Sequence, residues 1–327
     1  MTTTIPVEVV LAAGRRPVDL NNRFIAEPEP GAVLAAAEAK GLGQGVCAWI
    51  RGIYGWCLEH PQLKCVIGVR EGDCSATHGL MELLAEEGIE VVSFGFPSSR
   101  DPRALAREIE ALARAMGTTV EQAEQVRREL EGVRGMLLEL ERLGWEDGKV
   151  SGVEMMRWLL GASDFEGDPG EFARRLGEAL ARARAAPGRQ GGVRLGLVGV
   201  PPAMVDLVEV MEELGARVVY LETPRQFAMV PAVEQGVASL VEQYLLYSYP
   251  YTMGYRLKDI NRQVAIRGIH GLVHYVQAFC HRRVHDALLR RHSRVRVLTL
   301  EGDEPGSVDG RTRLRLEAFV EMLAQEL

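Results

Sequence analysis

The feature that most constrains the fold is an alternation of strand and helix patterns that occurs twice along the chain. In the first half, the apolar runs CVIGVR (65–70) and VVSFGF (91–96) predict buried strands, and a helical pattern follows each of them. The second half repeats the alternation, with strand runs at 193–200, 216–222, 271–276 and 295–301. Strands that alternate with helices are typical of parallel sheets covered by helices, so the sequence predicts an α/β fold.

The stretch between the two sets has an almost wholly helical pattern. Apolar residues recur there at helical spacing, at Leu130, Val133, Leu137, Leu140 and Leu143. Such a stripe indicates core packing. AAPGRQGG (185–192) is a turn-rich break that suggests a domain boundary. We therefore predict an N-terminal α/β domain at 1–118, a helical connecting segment at 119–187 and a C-terminal α/β domain at 188–327.

Local signals predict several element boundaries. RRPVDL (15–20) is interpreted as a short strand, and NNRF (21–24) as a polar turn. Capping boxes of the form S/T-x-x-E begin at Thr118 and at Ser151, and each predicts the start of a helix.

Composition and charge exclude several classes of function. The net charge of −7 disfavours general nucleic-acid binding, which needs a concentrated positive surface. No apolar run approaches the roughly 20 residues that span a bilayer, and no secretory leader is recognisable. We therefore expect a cytoplasmic protein without membrane or nucleic-acid partners. The run 282–296 is rich in Arg and His, which indicates either a solvated helix face or a site for an anionic ligand.

The cysteines are unevenly distributed. Four of the five lie within a short stretch, at Cys47, Cys57, Cys65 and Cys74, and Cys280 lies far along the chain. Cys74 and Cys280 each follow a predicted strand, where open α/β sheets place their ligands. Together with Cys47 they could hold an iron–sulfur cluster with one iron left open, or another catalytic metal. The spacings match neither ferredoxins nor zinc knuckles, so buried structural thiols are the alternative.

Other polar residues near predicted strand ends have two interpretations each. His281 and His285 lie one helical turn apart and could bind a metal with Cys280, although structural zinc needs four ligands. Glu222 and Glu301 each end a predicted strand, so they could line a cleft or cap the helix that follows.

Four motifs resemble the 2-hydroxyacyl-CoA dehydratase family, which includes the 2-hydroxyglutaryl-CoA dehydratase D-component and benzoyl-CoA reductase subunits. In order, they are CAWIRGIYG, GDCSATHGLMELL, HYVQAFC and TLEGDEPGSVDGRTRLRLEAFVEML. The likeness spans nearly the whole chain. It implies two doubly wound, parallel-sheet α/β domains joined by a helical segment, with a cluster site in the cleft between them.

The resemblance also implies a cofactor and a reaction. Cys47, Cys74 and Cys280 match the three ligands of a [4Fe-4S] cluster, whose open iron receives the thioester carbonyl of an acyl-CoA. A separate ATP-hydrolysing iron–sulfur activator supplies one electron, and a ketyl radical then permits loss of the hydroxyl group. The chain would be an oxygen-sensitive hydro-lyase of anaerobic metabolism, or a related reductase. Its further partner would be a homologous subunit, in a heterodimer or homodimer.

Further site residues follow from the same resemblance. His274 corresponds to a histidine found in many relatives, and Tyr251, Tyr255 and Arg256 lie where relatives carry a loop near the active site. Residues of the Cys47 motif that would shield or tune the cluster are Trp49, Arg51 and Tyr54. Cys57 and Cys65 fall outside the ligand set and are expected in the core.

Three alternatives remain open at the level of sequence. An ATP-dependent low-potential reductase of the double-cubane type needs six cysteine ligands, and the chain has five cysteines. A non-catalytic electron-transfer or scaffold subunit would keep the cluster with its iron covered. An α/β protein that has lost the cluster would keep only the fold.

Overall fold

The computed structural model describes residues 1–327, which form sixteen α-helices and six β-strands. The elements up to residue 145 are α1 (Val7–Ala12), α2 (Leu20–Ile25), α3 (Pro30–Ala39), α4 (Ala48–Glu59), β1 (Cys65–Glu71), α5 (Thr77–Glu86), β2 (Glu90–Gly95), α6 (Pro102–Met116) and α7 (Val120–Trp145). The later elements are α8 (Gly152–Gly161), α9 (Pro169–Ala185), β3 (Val193–Gly199), α10 (Leu207–Glu213), β4 (Ala216–Leu221), α11 (Glu222–Phe227), α12 (Val230–Gln235), α13 (Leu240–Leu246), α14 (Met253–Arg267), β5 (Gly271–Gln277), α15 (Asp286–His292), β6 (Arg296–Gly302) and α16 (Gly310–Gln325). None of these helices has both the length and the apolar composition that a membrane crossing requires.

The strands form two sheets, and every strand pair is parallel. β1 pairs with β2, and the second sheet has the order β4-β3-β5-β6. In that sheet His274 of β5 lies opposite Val198 of β3 and Thr299 of β6. The strand runs predicted from the sequence are therefore strands, and the prediction of a mixed α/β fold with parallel sheets is confirmed.

The chain forms two compact units, each built from three segments. Unit 1 comprises Met1–Val133, Gly161–Phe172 and Pro231–Tyr251. Unit 2 comprises Arg134–Leu160, Ala173–Val230 and Thr252–Leu327. The two-stranded sheet lies in unit 1 and the four-stranded sheet in unit 2. The division into domains at 118/119 and 187/188 stays a prediction.

The core of unit 1 is centred on α4. Ile53 and Cys57 of this helix are almost fully buried, together with Phe24 of α2, Val66 of β1 and Leu80 of α5. Each large apolar side chain that is buried in this way contributes about 1.5–3 kcal/mol to stability. The packing explains why the start of α4 occupies a defined place in the unit.

In unit 2, α14 covers the four-stranded sheet with one apolar face. Met253, Leu257, Ile260 and Val264 recur at helical spacing, and all are buried in one cluster with Leu272 of β5. The apolar stripe predicted along α7 is also buried, apart from its last member, which is half-buried. The interpretation of that stripe as core packing is confirmed.

The segment before and within α2 differs from its prediction. Residues 15–20 form no strand, and residues 21–24 are helical rather than a turn. The cause is Asp19, whose side chain accepts a hydrogen bond from the Asn21 N–H at 3.0 Å and caps α2. Its own main-chain N–H donates to the buried Asp164 carboxylate at 2.8 Å, so a side chain replaces the strand partner.

The two predicted capping boxes have different outcomes. The first is displaced by one residue, because Thr119 and Gln122 exchange hydrogen bonds between side chain and main chain, and Thr118 does not take the cap position. The second is in place, since the Glu154 N–H donates to the Ser151 hydroxyl at 3.1 Å.

Candidate functional site

Cys47 immediately precedes α4 and occupies its N-cap position. The residue is buried, and its main-chain oxygen accepts hydrogen bonds from the N–H groups of Ile50 and Arg51. The sulfur therefore belongs to the N-terminal turn of a twelve-residue helix. The positive end of a helix dipole favours a thiolate, the form that binds metal.

A buried arginine and a close helix contact hold the start of α4 in place. The Arg51 side chain has no exposed surface, and its Nε donates to the Val46 carbonyl at 2.9 Å. Its guanidinium also pairs with Glu38 of α3 at 2.8 Å. A Cβ on Gly55 would overlap the main chain of α3, so only glycine permits this approach. Arg51 thus anchors the loop that leads to the candidate ligand.

The aromatic residues of α4 have different environments. The Tyr54 hydroxyl donates to Glu87 at 2.9 Å, and burial raises the pKa of Tyr54 to about 12. Trp49 packs edge-on against Phe24, with 5.8 Å between ring centroids. Its indole N–H is buried and has no hydrogen-bond partner in the protein. Such a donor is rare, and it lies two residues from Cys47.

Cys74 lies three residues beyond the end of β1. It is half-buried, and its main-chain oxygen accepts a hydrogen bond from the N–H of Thr77, the first residue of α5. Its side chain packs against the same apolar cluster that contains Cys47. The turn between β1 and α5 therefore places a second thiol at the core cluster of unit 1.

The remaining cysteines of unit 1 have less accessible or less acidic thiols. Cys57 is only 2% exposed, and burial raises the pKa of its thiol to about 12. Cys65 is half-buried at the start of β1, and burial together with the charge of Glu90 raises its pKa. Cys57 is a core residue, as expected, whereas Cys65 is only partly so.

Cys280 follows the carboxyl end of β5 and begins the 3-10 helix His281–His285. Its N–H donates to the Gln277 carbonyl at 3.2 Å. The preceding residue, Phe279, has a left-handed φ of +60° and a side chain that is 58% exposed. A non-glycine residue in this region carries strain of about 1–3 kcal/mol, a feature that often marks functional turns.

The buried His274 and the half-buried Asp286 form a pair beside this turn. The Nδ1 of His274 lies 2.8 Å from an Asp286 oxygen, which also accepts a hydrogen bond from the Thr299 hydroxyl at 2.5 Å. Burial would raise the pKa of Asp286, but these hydrogen bonds outweigh it and the pKa is lowered. The carboxylate is thus ionised and accepts the Nδ1–H. Burial lowers the pKa of His274 despite this partner, so its Nε2 is left as an acceptor near neutral pH.

Arg256 and Glu222 form a second buried pair. The Arg256 Nε donates to one Glu222 oxygen at 2.8 Å, and the terminal nitrogen donates to the other at 2.9 Å. Glu222 also accepts the Gly199 N–H at 2.9 Å. Burial would raise the pKa of Glu222, but the guanidinium and these hydrogen bonds hold it below its usual value. Glu222 therefore positions Arg256 and connects it to the end of β3.

A small pocket in unit 2 brings several predicted site residues together. It is lined by Gly199, Arg256, His274, Gln277, Cys280 and Arg282, among others. His285 lies beside these residues, and burial and the charges of Arg256 and Arg282 lower its pKa to about 4. The pocket therefore combines the carboxylate-paired guanidinium of Arg256 with histidines that burial keeps neutral.

Other predicted residues lie outside this pocket. Tyr255 is 37% exposed on α14, where the Lys258 ammonium lies 5.6 Å from the centre of its ring. Tyr251 belongs to unit 1, and burial raises its pKa to about 12. Glu301 pairs with Arg283 at 2.8 Å and does not cap a helix. Of these, none lines the pocket at Cys280.

The predicted ligands are distributed over both units. Cys47 and Cys74 belong to unit 1 and Cys280 to unit 2, and no cysteine is in a disulfide. Neither unit contains three or more His, Cys, Asp or Glu side chains grouped as metal ligands. The zinc interpretation of His281 and His285 therefore has no support.

Sequence reasoning missed Asp286. The sequence could have pointed to this residue, because it is the only acidic residue between 260 and 300, a stretch rich in Arg and His. A lone carboxylate among cations and histidines is a candidate partner for one of them.

Comparisons with known proteins agree with the motifs. No curated protein matches the chain. The family model described as 2-hydroxyglutaryl-CoA dehydratase, D-component, matches residues 2–323, which is nearly the full chain and includes all five cysteines. The chain belongs to the 2-hydroxyglutaryl-CoA dehydratase D-component family.

Proposed function

We propose that the chain is a subunit of a 2-hydroxyacyl-CoA dehydratase that holds a [4Fe-4S] cluster through Cys47, Cys74 and Cys280. It removes water from an acyl-CoA by a radical route, which an ATP-hydrolysing iron–sulfur activator starts with one electron. The observation that carries this proposal is the family match over residues 2–323. Further partners would be a homologous subunit and the acyl-CoA substrate, in the cytoplasm.

The residues around the proposed ligands fit such a group. Cys47 follows a loop anchored by Arg51 at a helix N-terminus, a setting that favours thiolate. The unpartnered indole N–H of Trp49 could donate to a cluster or cysteine sulfur, the kind of hydrogen bond that tunes iron–sulfur centres. When bound, the cluster would supply a Lewis-acidic iron and a path for the electron.

The pocket residues of unit 2 would handle the proton and the charge. Loss of water breaks a C–H and a C–O bond, forms a C=C bond and is redox-neutral overall. Because Asp286 accepts the Nδ1–H of His274, the free Nε2 can take the proton from carbon. Arg256, held by Glu222, together with Arg282, would stabilise negative charge on the substrate.

The first test is the content of iron and acid-labile sulfide in protein purified without oxygen. We expect about four of each per chain for a single cubane cluster. About eight of each would favour the double-cubane type. A folded protein without either would contradict the proposal.

Cysteine variants identify the ligands. Cys74→Ala should abolish the iron and sulfide, because a thiolate ligand is lost. The matched control is Cys65→Ala, which lies in the same unit and should keep the full content. Equal loss in the two variants, with both folded, would refute the assignment of ligands.

A further inference from the structure

Unit 2 contains a second, larger pocket that shares no lining residue with the one at Cys280. It has a volume of about 510 Å³ and lies on α14. Lys258, Asn261 and Arg262 come from that helix, His292 is the last residue of α15, and Arg294 lies between α15 and β6. Small-molecule sites commonly have volumes of about 300–1,000 Å³. The size therefore suits a small ligand.

The cations of this pocket differ from several others in the same part of the chain. Four arginines nearby form ion pairs with carboxylates, namely Arg256, Arg283, Arg290 and Arg296. Lys258 and Arg294 have no carboxylate within ion-pair distance, and both side chains are exposed. Two cations without counter-charges, on facing walls of one pocket, leave positive charge available for a ligand.

The surrounding segment strengthens this field. Residues 252–296 contain ten Lys and Arg and two Asp, in a chain whose net charge is −7. Positive charge is thus concentrated in one segment while the rest of the chain is acidic. A concave surface lined by one sign of charge raises the local concentration of oppositely charged ligands.

The walls of the pocket are joined by one side chain. The Asn261 amide donates to the His292 carbonyl at 2.9 Å, and its oxygen accepts the Arg294 N–H at 3.1 Å. These two bonds hold the α15–β6 connection at a defined distance from α14. The two bonds therefore fix the main-chain spacing between Lys258 and Arg294.

We propose that this pocket binds the phosphate groups of a nucleotide-sized ligand. Arginine matches phosphate oxygens with paired N–H donors, and lysine adds a compact positive charge. The volume accommodates a nucleoside diphosphate. The proposed ligand is a free nucleotide, which is distinct from the acyl-CoA substrate. Binding needs neither the cluster nor turnover, so this site can fail while the proposed function holds, and the reverse.

The test is calorimetric titration of the full chain at physiological salt with three probes: ADP, coenzyme A and inorganic phosphate. We expect ADP to bind, and Arg294→Ala to weaken binding by about tenfold or more, because a charge-assisted phosphate contact is lost. The matched control is Arg291→Ala, an exposed arginine of the same segment that does not line the pocket. It removes the same charge and should change affinity by less than about twofold, because Arg291 makes no contact in the pocket and exposed charges outside it are screened at physiological salt.

Each result has a defined meaning. Binding of ADP that Arg294→Ala weakens supports the proposal, and inorganic phosphate that competes with ADP locates the contact at the phosphates. Binding of coenzyme A without binding of ADP overturns the proposal, because the proposed acyl-CoA substrate already accounts for that result. Failure of all three probes to bind overturns the proposal. Equal weakening by Arg291→Ala and Arg294→Ala also overturns it. That result would mean that the overall positive charge of the segment attracts the ligand, and not a contact in this pocket.

Discussion

At the scale of single residues, the most informative features are buried ionisable groups with defined partners. His274 is 3% exposed, yet it lies in a pocket wall with Cys280 and Arg256. Asp286 fixes its tautomer. A core histidine without function would satisfy both ring nitrogens, whereas this arrangement leaves one available as a base.

His274→Gln is expected to lower the turnover of 2-hydroxyglutaryl-CoA, used as the probe, by about 10²-fold or more, because the proton acceptor is lost. Iron content should be unchanged, since His274 is not a proposed ligand. Kinetics with the activator and iron analysis together check this. His60→Gln, which changes a histidine on α4's C-terminal side in unit 1, is the control. Full activity of an iron-loaded His274→Gln variant would rule out a catalytic role for His274.

Asp164 gives unit 1 a pH-dependent stability. It is 2% exposed, and burial together with the charge of Asp19 raises its pKa to about 6. In the unfolded chain it ionises near pH 3.8, so between about pH 4 and 6 only the unfolded state loses the proton. Stability should fall by up to about 3 kcal/mol as pH rises through that window, and then stay level.

Urea unfolding of cluster-free protein between pH 4.5 and 7.5, a range of roughly three pH units around this pKa, measures the effect. Asp164→Asn should remove this fall, because the amide does not titrate. Asp147→Asn, at an exposed site, should preserve it. The same profile in both variants would show that another group is responsible.

At the scale of elements, one buried carboxylate connects α7 to two other helices of unit 2. Glu141 has no exposed side-chain surface and pairs with Arg225 at 3.1 Å and with Arg267 at 2.9 Å. Both arginines are also buried, and Arg267 lies over the rings of Trp145 and Tyr220. These contacts join α7 to α11 and α14 within unit 2.

Glu141→Gln should destabilise the protein by about 3–5 kcal/mol, because two buried guanidinium groups lose their counter-charge. Glu139→Gln is the matched control, since it lies two residues away on the same helix and its pair with Arg184 is exposed. That change should cost less than about 1 kcal/mol. Denaturant unfolding of both variants measures the difference. Similar losses in the free energy of unfolding of the two variants would mean that the buried ion pairs of Glu141 contribute little to stability.

At the scale of the whole molecule, contacts between distant segments define unit 1. The buried Glu8 accepts hydrogen bonds from Gln243 at 2.6 Å and from the Tyr244 hydroxyl at 2.8 Å, across more than 230 residues of sequence. The main-chain N–H of Asp19 donates to the Asp164 carboxylate across 145 residues of sequence. The chain leaves unit 1 within α7, between Val133 and Arg134, and later returns to it.

Cluster binding should stabilise the folded chain. A group that binds only the folded state raises the free energy of unfolding. Anaerobic thermal unfolding should therefore give a midpoint several degrees higher for loaded protein than for protein stripped by a chelator. Cys74→Ala should show no such difference, and Cys65→Ala should keep it. A loaded protein that unfolds at the stripped midpoint would speak against a cluster that the folded chain holds.

The sequence by itself determined the elements and the candidate ligands. Apolar runs and helical stripes predicted the strands and α7, because periodicity depends on neighbouring residues alone. The family motifs identified Cys47, Cys74 and Cys280 without reference to contacts. Prediction was wrong where a distant group decided the local outcome, as at residues 15–20, where the carboxylate of Asp164 takes the hydrogen bond that a strand partner would have made.

Only the tertiary structure decided which charges meet. Asp286 pairs with both His274 and Arg290, Glu222 pairs with Arg256, and Asn261 joins α14 to the segment that follows α15. None of these pairings follows from sequence spacing, because several cations compete for few carboxylates in this part of the chain. Burial settles the competition: a charge removed from water must be paired, and the fold allows one geometry for each pair.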